Sequence, residues 1–243
     1  HYFDFLQREP DTAGLTFWTD QIASCGPDSQ CREVKRINVS AAFYVSIEFQ
    51  DTGYFVYRVH KAAHGNLTAL PVPIKLDEFL RETTYEVGFG VIVGQPGWEQ
   101  VLESNKRIFI NDPDGDRWTS AYPTSMTPAQ FVDTLFANAE VTPSASDRAA
   151  AIDEFGAATT TLDVAARQRA LRRVADNQTL KQQEFNRAFV LMQYFSYLRR
   201  NPNEPPELTL DFTGYNFWLN KLNQFHGNFV DAEMVKAFLV STE

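Results

Sequence analysis

The chain has 243 residues with 22 Lys and Arg against 31 Asp and Glu, a formal net charge of -9. That balance repels a phosphate backbone and an anionic lipid surface alike, so nucleic-acid and membrane-surface roles are set aside. At 44% hydrophobic the chain can bury a sizeable core, and no stretch approaches the roughly 20 apolar residues of a spanning helix.

The first segment is aromatic: Tyr2-Phe3-Asp4-Phe5-Leu6-Gln7-Arg8-Glu9-Pro10-Asp11, then Gly14, then Phe17-Trp18. Proline after an aromatic helical stretch cannot continue the helix, and the following Asx residue can cap the next one, so Arg8 to Asp11 reads as a helix-to-helix corner. The only cysteines, Cys25 and Cys31, enclose a short turn. A close local pair with no other cysteine reads as a disulfide staple, against the alternative of two free thiols in a cytosolic loop; the staple favours an oxidising, extracytoplasmic home.

Further along, His60 and His64 are spaced to share a helix face, but they lack the intervening Glu of a zinc hydrolase motif and any evident third ligand. They read as surface or packing histidines. Gly65 to Pro73 reads as a linker, and Val87 to Gly94 as a short buried strand or an apolar loop. Asn111-Asp112-Pro113-Asp114 is a second proline corner. Its alternating carboxylates Asp112, Asp114 and Asp116 imitate the opening of a calcium loop, although Arg117 stands where the invariant glycine belongs and Pro123 where the closing Glu belongs. A solvated turn is the favoured reading there, with low-affinity calcium as the alternative and no other cofactor expected.

Thr127-Pro128-Ala129-Gln130 supplies a capping hydroxyl, a first-turn proline and a glutamine able to reach back, which predicts a helix start. Thr160 to Asp163 plays the same part for a helix through Val174. From Glu184 to Arg200, Phe185, Ala188, Phe189, Met192 and Phe195 fall at helical spacing on one face, with Arg187, Gln193 and Arg199 largely off it.

The end of the chain repeats the beginning. Tyr194-Phe195-Ser196-Tyr197-Leu198-Arg199-Arg200-Asn201-Pro202-Asn203 is followed by Gly214 and by Phe217-Trp218, and Ala42-Phe43 with Ser46 is echoed by Ala237-Phe238 with Ser241. This predicts an all-α fold of duplicated helix-turn-helix units with proline corners and little or no β structure. The expected divisions are a first aromatic unit at 1–64, a connecting region at 65–126 and a second unit at 127–243. Both ends fall inside amphipathic helix patterns, so the chain reads as part of something longer.

Catalytic patterns are not found: no Gly-x-Ser-x-Gly elbow occurs, and Gly88, Gly90 and Gly94 do not keep a dinucleotide spacing. No catalytic residue is assigned. Trp18 and Trp218 belong to the repeated Phe-Trp step and read as core anchors. Trp98 and Trp118 lie outside it and are the candidates for stacking on a ligand such as a sugar ring.

The runs Phe5 to Asp11 with Gly14 and Phe17-Trp18, Asn186 to Pro202, and Gly214 to Leu222 resemble domain-of-unknown-function family 4214. The resemblance is clearest over 127–243 and partial over 1–64. It implies an α-helical module of secreted and surface-associated bacterial proteins, with no activity to carry onto residues. The expected function is a non-catalytic structural or adhesive module whose partners are other copies of itself, assembling into oligomers or filaments, or other domains of a longer surface protein. A carbohydrate-binding module is the alternative, and a hydrolase a more distant one.

Overall fold

The computed structural model describes residues 1–110, 118 and 120–241. Among these residues all the regular structure is helical, with no strand. In chain order, a short π-helical turn π1 (Tyr2–Leu6) precedes α1 (Thr12–Ala23), α2 (Ser29–Tyr44), α3 (Ile47–Asp51) and α4 (Gly53–His64). Then come α5 (Leu76–Glu82), π2 (Thr83–Val87), α6 (Trp98–Phe109), α7 (Pro128–Asn138), α8 (Ala145–Asp153) and α9 (Val164–Ala175). The chain closes with α10 (Gln178–Gln193), π3 (Tyr194–Leu198), α11 (Thr213–Gln224) and α12 (Met234–Leu239).

The helices group into two compact units that are nested in sequence: one is His1–Asp51 with Asn186–Glu243, the other Thr52–Phe185. The expected divisions at 64/65 and 126/127 are therefore corrected. Helix α4 and the 65–126 region both belong to the second unit, because α4 is its buried centre. Gly65 to Pro73 is not an interdomain linker either: Val72 and Ile74 are buried within the second unit and the Leu67 amide donates to the Val72 carbonyl. Of the Val87 to Gly94 stretch, Val87 ends π2 and the rest forms turns and irregular backbone, with Val87 and Val91 buried and Phe89 exposed, which resolves the strand-or-loop alternative in favour of the loop.

In the first unit the two aromatic templates make matching contacts. The Arg8 guanidinium lies 5.0 Å from the Tyr2 ring and Arg200 lies 5.2 Å from the Tyr194 ring. Tyr2 meets Phe43 edge-on at 4.8 Å, and Tyr194 meets Phe238 edge-on at 5.1 Å. Trp18 packs on Phe43 at 5.4 Å, and Trp218 on Phe238 at 5.7 Å. Each such aromatic pair contributes about 0.5–1.5 kcal/mol beyond the area it buries. Both π turns end in a left-handed residue, Gln7 and Arg199, each with φ 53°. Trp18 and Trp218 are half-buried at the edge of these clusters, a shallower seat than a core anchor.

The corners are built differently at the two ends. Asp11 caps α1 by accepting from the Gly14 amide, as its position after Pro10 predicts. Asn203 caps nothing comparable, since α11 begins ten residues later, where Asp211 accepts from the Thr213 amide. The long amphipathic segment also departs from expectation: α10 gives way to π3 at Tyr194, and Gln193 is fully buried rather than lying off the apolar face.

The second unit is centred on α4, whose residues from Gly53 to Ala63 are all buried. Helices α7, α8 and α9 pack on one another, and α4 packs against α7 and α9 as well as α5 and π2. The predicted capping box at Thr127 and Gln130 forms, and Asp163 caps α9. Charges drawn into this interior are tied off, as burial requires. Arg58 lies 4.4 Å from the Tyr54 ring, donates to the Ala175 carbonyl at 2.8 Å and reaches Asp176 at 3.3 Å. Lys61 donates to Glu140 at 2.9 Å, and the Tyr57 hydroxyl to Glu184 at 2.7 Å.

Candidate functional site

Three places stand out, the first being an uncovered helix in the first unit. Helix α1 carries Leu15, Phe17, Trp18 and Ile22, yet none of its residues is buried. Its template twin α11 buries Tyr215, Leu219 and Leu222. The difference has a local cause. Tyr215 donates its hydroxyl to the Arg187 carbonyl of α10, and Asn186 of α10 donates to the Asn223 side chain at 2.9 Å, so α11 is covered by the helix that leads into π3. Leu15, at the position of Tyr215, is 50% exposed. Phe17 and Phe217, at equivalent positions, are 55% and 57% exposed.

A second place lies in the interior of the second unit. His60 projects from α4 and Glu78 and Glu82 from successive turns of α5, and the three offer one ligand atom each within 4.8 Å of one another. His60 is fully buried and Glu82 nearly so, while Glu78 is half-buried. The His60 Nε2 and Glu82 Oε2 atoms are 2.6 Å apart, and Arg81 holds the other Glu82 oxygen at 3.2 Å. One turn further on, Glu86 has its carboxyl pushed up by burial and then by the like charge of Glu82, against the pull of Arg81 and His60. Two buried polar atoms here, His60 Nδ1 and Thr83 Oγ1, have no hydrogen-bond partner. Sequence reading found the histidine pair and dismissed it for want of a third ligand. The carboxylates come from a different helix, 18 and 22 residues later, and only the packing of α5 on α4 brings them in. His64 is not in this cluster; its ring meets Trp118 edge-on at 6.1 Å.

The third is an open groove of about 690 Å³ in the second unit, lined by α6, α9 and Glu154. Four arginines line it, in a chain that is acidic as a whole. Arg169 and Arg173 are both held by Glu154, and Arg172 by Asp176 and Glu103. Arg107 has no ion-pair partner among the described residues.

The residues singled out from sequence fare unevenly. Trp118 is corrected as a ligand candidate: it is 7% exposed, packed against Tyr122 and Phe131 with the Arg167 guanidinium 5.5 Å from its ring. Neighbouring aspartates suggested an exposed corner, but the ring belongs to the core. Trp98 is half-buried at the first position of α6. Asp112, Asp114 and Asp116 lie outside the described residues. The Cys25 and Cys31 sulfurs are at bonding distance, with Cα atoms 5.6 Å apart, and close the turn between α1 and α2. No helix is long and apolar enough to cross a membrane among the described residues.

Comparison with protein-family models, with curated proteins and with solved structures finds no match to the chain.

Proposed function

We propose that the chain is a non-catalytic structural or adhesive module of a secreted or cell-surface bacterial protein, of the type of domain-of-unknown-function family 4214, and that it associates with further copies of itself through α1. The observation that carries this reading is the uncovered α1. An apolar helix whose template twin is covered leaves area exposed that contributes about 25 cal/mol per Å² once removed from water. Within α1, Leu15 is 50% and Phe17 55% exposed. The two templates are read as a duplicated unit whose repeated residues each have a packing use: Tyr under Arg, Gly under Tyr, Trp on Phe. That leaves the scaffold without an evident chemical role. The cysteine pair supports an extracytoplasmic home.

The test is light scattering of purified chain over a concentration series, beside the Leu15→Glu and Phe17→Glu variants. Association that the two variants abolish supports the reading. A monomer at every concentration removes it and moves attention to ligand recognition, with Trp98 as the aromatic to examine against glycans.

A further inference from the structure

We infer that His60, Glu78 and Glu82 form a binding site for one divalent cation of the zinc class, seated between α4 and α5 of the second unit. The argument starts from burial. Glu82 is a carboxylate 4% exposed, and Glu78 and Glu86 sit one turn before and one turn after it on the same side of the α5 and π2 segment. Removing a charge from water costs several kcal/mol unless a partner of opposite sign is close. The partners that the structure gives Glu82 are Arg81, itself 58% exposed at its side chain, and the His60 ring. A dication would set a further opposite charge beside the buried Glu82 carboxylate.

The second observation is the ring itself. His60 is fully buried, and its Nδ1 has no hydrogen-bond partner although Nε2 is engaged by Glu82. Nε2 is the ring atom that faces the carboxylate, and a cation coordinated by both would replace their direct contact.

The donor set selects the metal. One imidazole nitrogen with two carboxylates suits zinc and its first-row neighbours, whereas calcium takes six to eight oxygens and magnesium keeps most of its water. In a tetrahedral site with bonds of about 2.0–2.1 Å, neighbouring ligand atoms are about 3.4 Å apart. The three atoms here lie within 4.8 Å of one another, with the closest pair at 2.6 Å, so modest rotations of two flexible glutamates bring them onto an ion. Three protein ligands leave the fourth position to water, and the half-buried Glu78 marks the route in from solvent.

The experiment uses the full chain stripped with chelator and titrated with Co²⁺ alone, then Zn²⁺ alone, followed by visible absorption and calorimetry. The expected result is one Co²⁺ per chain with the d–d bands of a four- or five-coordinate centre, displaced by Zn²⁺ and not by Ca²⁺. Glu78→Gln, at a half-exposed position, should keep the helical circular dichroism and weaken binding by more than about tenfold, as loss of even an outer-shell partner does. His60→Gln should abolish the bands. His1→Ala, which removes an imidazole outside the cluster, should leave them unchanged. Absence of stoichiometric binding, or binding that survives Glu78→Gln unchanged, overturns the site, so a failure of His60→Gln to fold does not shelter it.

Discussion

A Cβ placed on Gly214 would stand 2.8 Å from the Tyr194 hydroxyl, and one on Gly14 would overlap the hydroxyl of Tyr2, the same ring in the other template. Glycine at these two helical positions is thus required by the tyrosine of its own template rather than by backbone conformation. Tyr194 is buried at 2%, and Glu207 also stands 2.9 Å from the Gly214 Cβ position, so the second site has little room to give. Gly214→Ala is expected to destabilise by about 1–3 kcal/mol through overpacking, reduced by about 1 kcal/mol of gained helix propensity. Tyr2 is half-buried and can swing aside, so Gly14→Ala should cost less. Urea denaturation of the two variants compares them directly.

The Cys25–Cys31 bridge closes a loop between α1 and α2 with a sequence separation of 6. Loop-closure entropy for so short a ring predicts a stabilisation of about 2 kcal/mol in the chain-entropy treatment. Cys25→Ser with Cys31→Ser should lower the unfolding midpoint accordingly, without loss of helical circular dichroism. Mass spectrometry after alkylation without reductant should show no modified thiol in the wild-type chain.

Arg58 is a charge deeply committed to the second unit, with side-chain exposure of 3%, the Tyr54 ring on one side and both the Ala175 carbonyl and Asp176 as acceptors. Arg58→Ala strands that carbonyl and removes the cation from the ring. A loss of about 3–5 kcal/mol is expected, the range for breaking a buried pair from one side. Arg58→Lys should recover part of it but not the ring contact, since ammonium lacks the planar fork. Thermal melts of the three chains would show this order.

Asp176 supplies a pH dependence. Burial pushes its carboxyl up, but the hydrogen bond and charge of Arg172, with Lys181 and Arg58, outweigh that and hold it below the ordinary 3.8. The unfolded chain therefore takes up this proton first, so the network contributes fully above about pH 4 and is lost as pH falls through the folded value. Glu86 works in the opposite sense: its raised carboxyl contributes below the ordinary 4.5 and loses that contribution as pH rises through its folded value. The stability difference between wild type and Asp176→Asn, read from urea midpoints, should shrink steadily below pH 4 and be constant above pH 6.

Much of the helical fold was legible because the signals were local: the Thr127–Gln130 capping box, Asp163 before α9 and Asp11 before α1 all act within one turn of their own sequence. The division into units was not, because no short-range pattern says that α4 is wrapped by α7 and α9, far along the chain. Trp118 looked exposed for the same reason; its partners Phe131 and Arg167 are distant in sequence. The His60 cluster shows the limit most sharply. Each half is an ordinary helix spacing, and only tertiary packing sets a carboxylate 2.6 Å from the ring.

The most direct test of α1 as an association surface is amide hydrogen exchange across a concentration series, comparing residues 12–23 with residues 213–224. The account predicts that α1 amides gain protection as concentration rises while those of the already covered α11 stay constant. Exchange of α1 that is the same at every concentration would contradict it.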